Sequence, residues 1–589
     1  MAKVATGTVK PTPKSTTPTP VNKPTPTPSV ILQGQTKAFA NNDLALVFWK
    51  FNAKIPNCLG YCIERVDAKT KVVTVLPAWV GFQGQTNTAW KVSDTAHLPI
   101  QKMSWLDVSA PHGGNVFYVI TPMIGTPTSL VKTTDKSLIL TTNTVTLAPD
   151  AGDFKAYFNR GILSTQSVSH SFATNADGSP NFSGLIDKLK TPNDPLRAKL
   201  AGQFLEIMPS LIKRANTEGG SVYSALYELS DPMLIQTILD NKTKVHLILS
   251  NTGPDDGTDK DARAQLHAAG VDITDRMLAD GHIGHNKFSV YVDKNGVPQS
   301  VLTGSTNWTY TGLCAQTNNI LVINNQQIAK QYMDYWQRIK ADGQAQAAGY
   351  RTTNNAVHAF DLTTPVKTDI WFSPNTQTTN KVTDSPLPND MSEVFDLMSK
   401  AQKAILFLAF QPGTPSIIDK AGEIEIANPK LFIRGAATDA KAVSDYNTNL
   451  FHHGIKTPDT VVAASNVNDP ISFWEKELLK TPGGHAIIHD KIVVIDPFSP
   501  NCVVITGSHN LGYRASYNND ENMVIVKGNQ ALAAAYAVHI LDVYDHYRFR
   551  YILQTQKTGT FSGLLPTDVW QDKYFSSKFP SALDSLLWV

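Results

Sequence analysis

The sequence predicts an α/β protein of two similar halves, preceded by a β-sandwich. Three observations point there. A short motif occurs twice, at His285-Asn286-Lys287…Asp293…Gly304-Ser305-Thr306-Asn307 and at His489-Asp490-Lys491…Asp496…Gly507-Ser508-His509-Asn510. Around each copy, apolar strands alternate with helices, the pattern of a layered α/β fold. Before both copies lies a run of short strands with turn-rich connectors, which suggests a sandwich.

Residues 1–29 are dominated by Thr-Pro, densest from Pro18 to Pro28. Such a stretch favours extended polyproline II and cannot build a core, so it reads as a disordered tail. Residues 30–150 form the predicted sandwich, with strands at Leu44–Trp49, Gly60–Val66, Val116–Ile120 and Ser137–Leu140. Nothing in it looks catalytic, and it reads as a packing or substrate-presenting module.

The first half, 151–365, carries a helix over Leu196–Asn216 and strands at Ser221–Leu229, Lys244–Ser250 and Val271–Thr274. The second half, 366–553, repeats the plan. Its strands are Asp369–Phe372, Ala404–Leu408 and Lys430–Ile433, with a helix over Met391–Ala401 and an amphipathic helix over Gln530–His546. Residues 554–589 are expected to fold back as a cap.

The repeat carries chemistry. Side chains two apart on a strand share a face, so His285 projects with Lys287 and His489 with Lys491. A turn and a return strand then deliver Gly-Ser-x-Asn beside each pair. Two copies facing each other surround one small anion with two imidazoles and two ammoniums, which suits a phosphodiester. The lysines, with Ser305, Asn307, Ser508 and Asn510, would hold non-bridging oxygens and stabilise developing charge. One histidine would attack phosphorus while the other protonates the leaving oxygen and later activates water.

This pattern resembles the phospholipase D superfamily, whose signature is His-x-Lys-x4-Asp followed by Gly-Ser-x-Asn. The resemblance covers Phe154 to Tyr551 and implies a pseudo-dimer with one site at the seam. It also implies turnover through a covalent phosphohistidine, with no metal and no cofactor. The sandwich is similar to fibronectin type III domains.

Two departures stand out. Five residues separate Lys287 from Asp293, where the second copy has four between Lys491 and Asp496. An unbroken strand would turn Asp293 to the opposite face, so Asp496 is the stronger site candidate, and Asp293 is expected to support the site residues from behind. Glu521 aligns by offset with Asn318. In the family an acidic residue here orients a histidine, often that of the other half. Glu521 would then partner His285 and Asn318 would partner His489. A carboxylate makes its histidine the better nucleophile, so His285 is the expected nucleophile and His489 the acid/base.

Other readings were weighed. His282 with His285, or His485 with His489, could suggest a metal site. Residues three apart on a strand face opposite ways, and residues four apart stand about 13 Å apart. Trp308, Tyr310 and Trp474 near the motifs could line an acyl or base-stacking groove but read first as core. An inactive binding module fits poorly, because both His/Lys and both Ser/Asn pairs are present.

The net charge of +2 leans against a dedicated nucleic-acid binder. A phospholipid headgroup ester at a membrane or vesicle surface is therefore the expected substrate, with DNA or RNA the alternative. The four cysteines make no disulfide framework and read as free thiols. No apolar run approaches a membrane span. The start lacks a signal-peptide core, so the chain reads as soluble and cytoplasmic, with export by a route lacking a classical signal left open.

Overall fold

The computed structural model describes residues 32–85, 91–160, 184–252, 256–257, 259–377, 385–438, 461–463, 488–555 and 563–576. The Thr/Pro stretch, Trp474 and His485 lie outside the described residues.

Two eight-stranded sheets share one strand order. The first runs Asp150–Ala151, Phe154–Phe158, Asn319–Ile323, Pro298–Gly304, Lys287–Val292, Ser221–Leu226, Val245–Thr252, Asp272–Leu278. The second runs His358–Asp361, Lys367–Ser373, Glu521–Lys527, Val503–Gly507, Ile492–Ile495, Ala404–Ala409, Phe432–Ala437, Val461–Ala463. In each sheet the motif strand pairs antiparallel with the first of three parallel strands. Lys287–Val292 and Ala404–Ala409, inside their sheets, are buried along their whole length because both of their faces are covered.

One apolar core draws Phe288 and Phe372 from the two sheets and Tyr332 and Tyr335 from the helix Gln326–Asp342. Tyr335 and Phe372 stack at 4.1 Å. A buried ion pair also links the sheets: Arg276 binds Asp520 through two nitrogens, Nη2–Oδ1 being 3.0 Å, and reaches Asp342 at 3.0 Å.

Two helices differ from expectation. The segment expected to be helical over Leu196–Asn216 is three pieces, Pro195–Ala201, Phe204–Ile207 and Ser210–Glu218. Gly202, in the left-handed region, and Pro209 interrupt it. The helix expected to be amphipathic spans Gln530–Thr555, and every residue from Ala535 to Leu541 is buried. It packs on strands of both sheets and on Gly34–Ala40, so it has no water-facing stripe there.

The N-terminal strands form a three-stranded and a six-stranded antiparallel sheet around a common core of Val47, Trp49, Tyr61, Ile63, Tyr118 and Ile120, with a two-stranded ribbon, Pro77–Ala78 and Ser93–Asp94, beside them. The strand expected at Ser137–Leu140 begins only at Leu140, as Leu140–Thr141; a short 3-10 turn, Lys136–Leu138, precedes it, with the Asp135 carboxylate accepting from Ser137 N. Within 563–576, Trp570 joins this core and donates from Nε1 to the Cys58 carbonyl at 2.8 Å. All four cysteines are free and buried. Among the described residues, no helix is long and apolar enough to cross a membrane.

Candidate active site

The site begins where the two motif strands start. His285 and His489 stand just before Lys287–Val292 and Ile492–Ile495, and their rings lie 6.4 Å apart, centroid to centroid, across the two halves. Backbone bonds between the halves hold this approach: His489 N donates to Thr317 O at 3.0 Å, and Asp520 N to Ile283 O at 2.9 Å. Gly304 and Gly507 make the return possible. Both adopt left-handed φ (+139° and +135°), and a Cβ would stand 2.3 Å from Asn319 O and 2.4 Å from Asn522 O. Only glycine fits there.

The imidazoles are only 3% exposed, and each is pinned through Nδ1 by the opposite half. His285 Nδ1 lies 3.0 Å from Glu521 Oε2, and His489 Nδ1 lies 3.0 Å from Asn318 Oδ1. The Asn318 amide is oriented by its own Nδ2, which donates to Gly312 O at 2.9 Å, and its Oδ1 also accepts from Ser305 Oγ at 2.8 Å. An amide oxygen only accepts, so the His489 proton sits on Nδ1. The carboxylate imposes the same tautomer on His285. Both Nε2 lone pairs are thereby left unprotonated in the neutral rings.

Burial dominates the titration of the site. It holds His285 down to about 4, helped by the Lys287 charge and opposed by Glu521. His489 is held well below its usual range by burial and by Lys491, Lys287 and His285. Burial brings Lys287 down to about 7 and Lys491 well below the usual lysine range. Burial works to raise Glu521, but His285, His509 and Lys287 outweigh it and keep the carboxyl below its ordinary value. In the absence of an anion the rings are neutral and Glu521 is ionised, a cluster short of counter-charge.

A cavity of about 460 Å3 opens on the histidines. Asn307 and Asn510 line it, as do Tyr227, Glu228, Gln316, Phe410, Gln411, Asn519 and Arg514. Tyr227-Glu228 and Phe410-Gln411 occupy equivalent positions, each just past the strand that pairs with a motif strand. The Tyr227 ring is 5.2 Å from His285, and the Phe410 ring 5.0 Å from His489. Sequence reasoning missed these wall residues. The available signal was an aromatic followed by Glu or Gln at matching strand ends.

Several expected site residues stand elsewhere. Ser305 and Ser508 do not reach the cavity. Both are fully buried, Ser305 bonding Asn318 and Asn319 N, and Ser508 accepting from Asn522 N at 3.0 Å. Lys287 and Lys491 are buried too, each donating to the carbonyl of its own histidine at 2.7 Å. Asp496, expected to be catalytic, lies about 17 Å along the strand from Lys491. Its carboxylate accepts from the backbone of Gln402, Lys403 and Ala404 at 2.7–2.9 Å, tying a turn to the sheet. Asp293 is about 20 Å from Lys287 by the same measure, and it organises its own hairpin, accepting from Asn295 N and Val297 N at 2.9 Å. The register shift opposite Tyr291 and Val292 leaves its additional residue, Gln299, on the return strand, so Lys287–Val292 runs unbroken to Asp293. His282 turns to Gln346, 2.6 Å away. Trp308 is buried core, and neither it nor Tyr310 lines the cavity.

Residues 210–340 and 464–541 match the family described as the cardiolipin synthase, phospholipase D-like domain. The chain thus carries two phospholipase D-like regions, each containing one copy of the motif. No curated protein matches the chain. Among solved structures it is similar to the phosphatidylserine synthase of Haemophilus influenzae Rd KW20, at 12% identity and a TM-score of 0.40, covering 66% of this chain and 94% of that one. It is also similar to the polyphosphate kinase of Porphyromonas gingivalis (12% identity, TM-score 0.35), covering 54% of this chain but only 45% of that one. A third is the phospholipase D family member Nuc of Salmonella typhimurium (20% identity, TM-score 0.19; 23% and 86% covered).

Proposed function

We propose that the chain is a phosphodiesterase of the phospholipase D type, its halves a pseudo-dimer with one site at the seam. The observation that carries this is the histidine pair: rings 6.4 Å apart at one cavity, each Nδ1 pinned by the opposite half so that Nε2 is the unprotonated nitrogen of the neutral ring. His285 Nε2 attacks phosphorus as the bond to the leaving alcohol breaks, and the proton on His489 Nε2 passes to the departing oxygen. In the second step His489 Nε2 takes a proton from water or another alcohol. The oxygen of that molecule attacks phosphorus, and the phosphorus–nitrogen bond breaks, returning its electron pair to His285. Glu521 opposes the positive charge that forms on His285. An anionic phosphodiester raises the affinity of His489 and both lysines for protons, so substrate charges its own acid. Asn307 and Asn510 donate to non-bridging oxygens, and the lysine charges act at short range through the low-dielectric wall.

A phospholipid headgroup ester is the substrate favoured here. Among the described residues, Arg514 is the one lysine or arginine lining the cavity, whereas a strand-binding groove tracks a polyanion with a row of cations. The N-terminal sheets are read as a β-sandwich of fibronectin type III kind with no part in the chemistry.

The test uses bis(p-nitrophenyl) phosphate and phosphatidylserine vesicles with ethanol, both in EDTA. Nitrophenol release, phosphatidylethanol formation and a trapped phosphoenzyme on the His285 peptide are expected. Their loss in His285→Ala ties the activity to the site. No turnover of any phosphodiester defeats the proposal; nitrophenol and oligonucleotide cleavage without lipid turnover moves the substrate to nucleic acid.

A further inference from the structure

The cavity breaks its own two-fold symmetry. Beside His285 the wall carries Glu228, whose Oε2 accepts from Asn307 Nδ2 at 2.6 Å. The equivalent position beside His489 is the neutral Gln411. The asymmetry runs the other way four residues beyond each Asn of Gly-Ser-x-Asn: Thr311 in the first half, Arg514 in the second. Arg514 is the second residue of the short helix Tyr513–Asn518 and packs beside Gly413, so it continues the Phe410–Gly413 wall adjoining His489. Its side chain is exposed to the cavity and forms no hydrogen bond or ion pair with any described residue.

We infer that Arg514 is a specificity-determining residue that binds an anionic group, a carboxylate or phosphate, on the leaving alcohol of a phospholipid. The inference rests on the reading of His285 as nucleophile and His489 as acid. In-line displacement puts the departing oxygen opposite the attacking nitrogen, hence at His489, and the rest of the alcohol meets the wall that adjoins it. Among the described residues that wall offers one cation and no carboxylate, whereas the His285 wall carries Glu228. An alcohol bearing a negative charge is therefore seated in one orientation only. A cationic headgroup such as choline would meet Arg514 with like charge, and a neutral one would leave it unused. By microscopic reversibility an acceptor alcohol enters along the same wall, so transfer shows the same preference as cleavage. A nucleotide strand also carries a second anion, but a single cation reads a single charge and not a row of them.

The experiment compares dihexanoyl phosphatidylserine with dihexanoyl phosphatidylethanolamine, matched alcohols that differ by one carboxylate. Both are used as monomers, so that no membrane surface charge enters. The full chain, Arg514→Gln and Arg514→Lys are measured as kcat/KM. Wild type is expected to prefer the serine ester. Arg514→Gln should lower the serine-to-ethanolamine ratio roughly 10- to 100-fold, the scale of one charge-assisted hydrogen bond, and Arg514→Lys should keep much of it. A ratio that Arg514→Gln leaves unchanged overturns the inference while the phosphodiesterase reading stands. A response confined to the dinucleotide pair TpTp against TpT overturns the lipid assignment. If wild type turns over neither lipid, neither dinucleotide nor bis(p-nitrophenyl) phosphate, both readings fall together.

Discussion

Glu521→Gln probes the asymmetry of the two imidazoles. The glutamate is fully buried and stands 3.0 Å from His285 Nδ1. As His285 attacks phosphorus its ring becomes positive, and the carboxylate opposes that charge at a separation of roughly 4 Å. With an effective dielectric near 20 this is worth about 4 kcal/mol, or about 10^3 in rate. The substitution need not also impose the wrong tautomer. Asn519 Nδ2 donates to Glu521 Oε1 at 2.8 Å, but Asn519 Oδ1 has no hydrogen-bond partner among the described residues. In the variant Asn519 can turn over and accept from the new amide, leaving a glutamine oxygen toward His285. That arrangement is the one His489 already has with Asn318. The expected loss is therefore near 10^3, short of the ~10^4 that follows when a triad carboxylate becomes an amide and the tautomer is lost. Rapid-quench measurement of the first nitrophenol burst from bis(p-nitrophenyl) phosphate isolates the step. A burst rate reduced less than about tenfold would refute the electrostatic argument. An intact burst with only steady turnover slowed would exchange the roles of the histidines.

Four further outcomes are expected. Because His285 titrates at about 4, kcat/KM should rise as pH increases through that value and the ring becomes neutral; in Glu521→Gln the limb should move to lower pH, since the carboxylate favours the imidazolium. Binding of inorganic phosphate at pH 7 should take up protons, as the anion recharges groups that burial holds neutral, and calorimetry in buffers of different ionisation enthalpy reads the uptake directly. Asp496→Ala should cost about 2–4 kcal/mol of stability by stranding three backbone N–H groups, with the burst rate of the folded protein unchanged; a slowed burst without destabilisation would return Asp496 to the chemistry. Asp520→Asn should destabilise by about 3–5 kcal/mol in urea, since it leaves Arg276 buried without its bidentate partner, and Arg276→Met with Asp520→Leu should cost less than either alone.

The sequence by itself carried the duplication, the alternation of strands and helices, and the offset that sets Glu521 against Asn318. Those features are local: strand periodicity points His and Lys to one face, and Gly304 and Gly507 are demanded by their own backbone angles and by the carbonyl each faces. Tertiary structure decided what each residue of the motif faces. Asp293 and Asp496 follow their motif at similar spacing, yet both lie at the far end of their strands, where backbone amides take up their carboxylates. Ser305 and Ser508 point away from the cavity because the neighbouring strand presents Asn319 N and Asn522 N to them. Helix Gln530–Thr555 shows no stripe over Ala535–Leu541 because strands from several parts of the chain enclose it there, which its own periodicity cannot report. The cavity wall draws Tyr227, Phe410 and Arg514 from positions far apart in the chain, and no local pattern brings them together. Residue identities selected the chemistry, whereas only long-range packing could select the walls that decide its substrate.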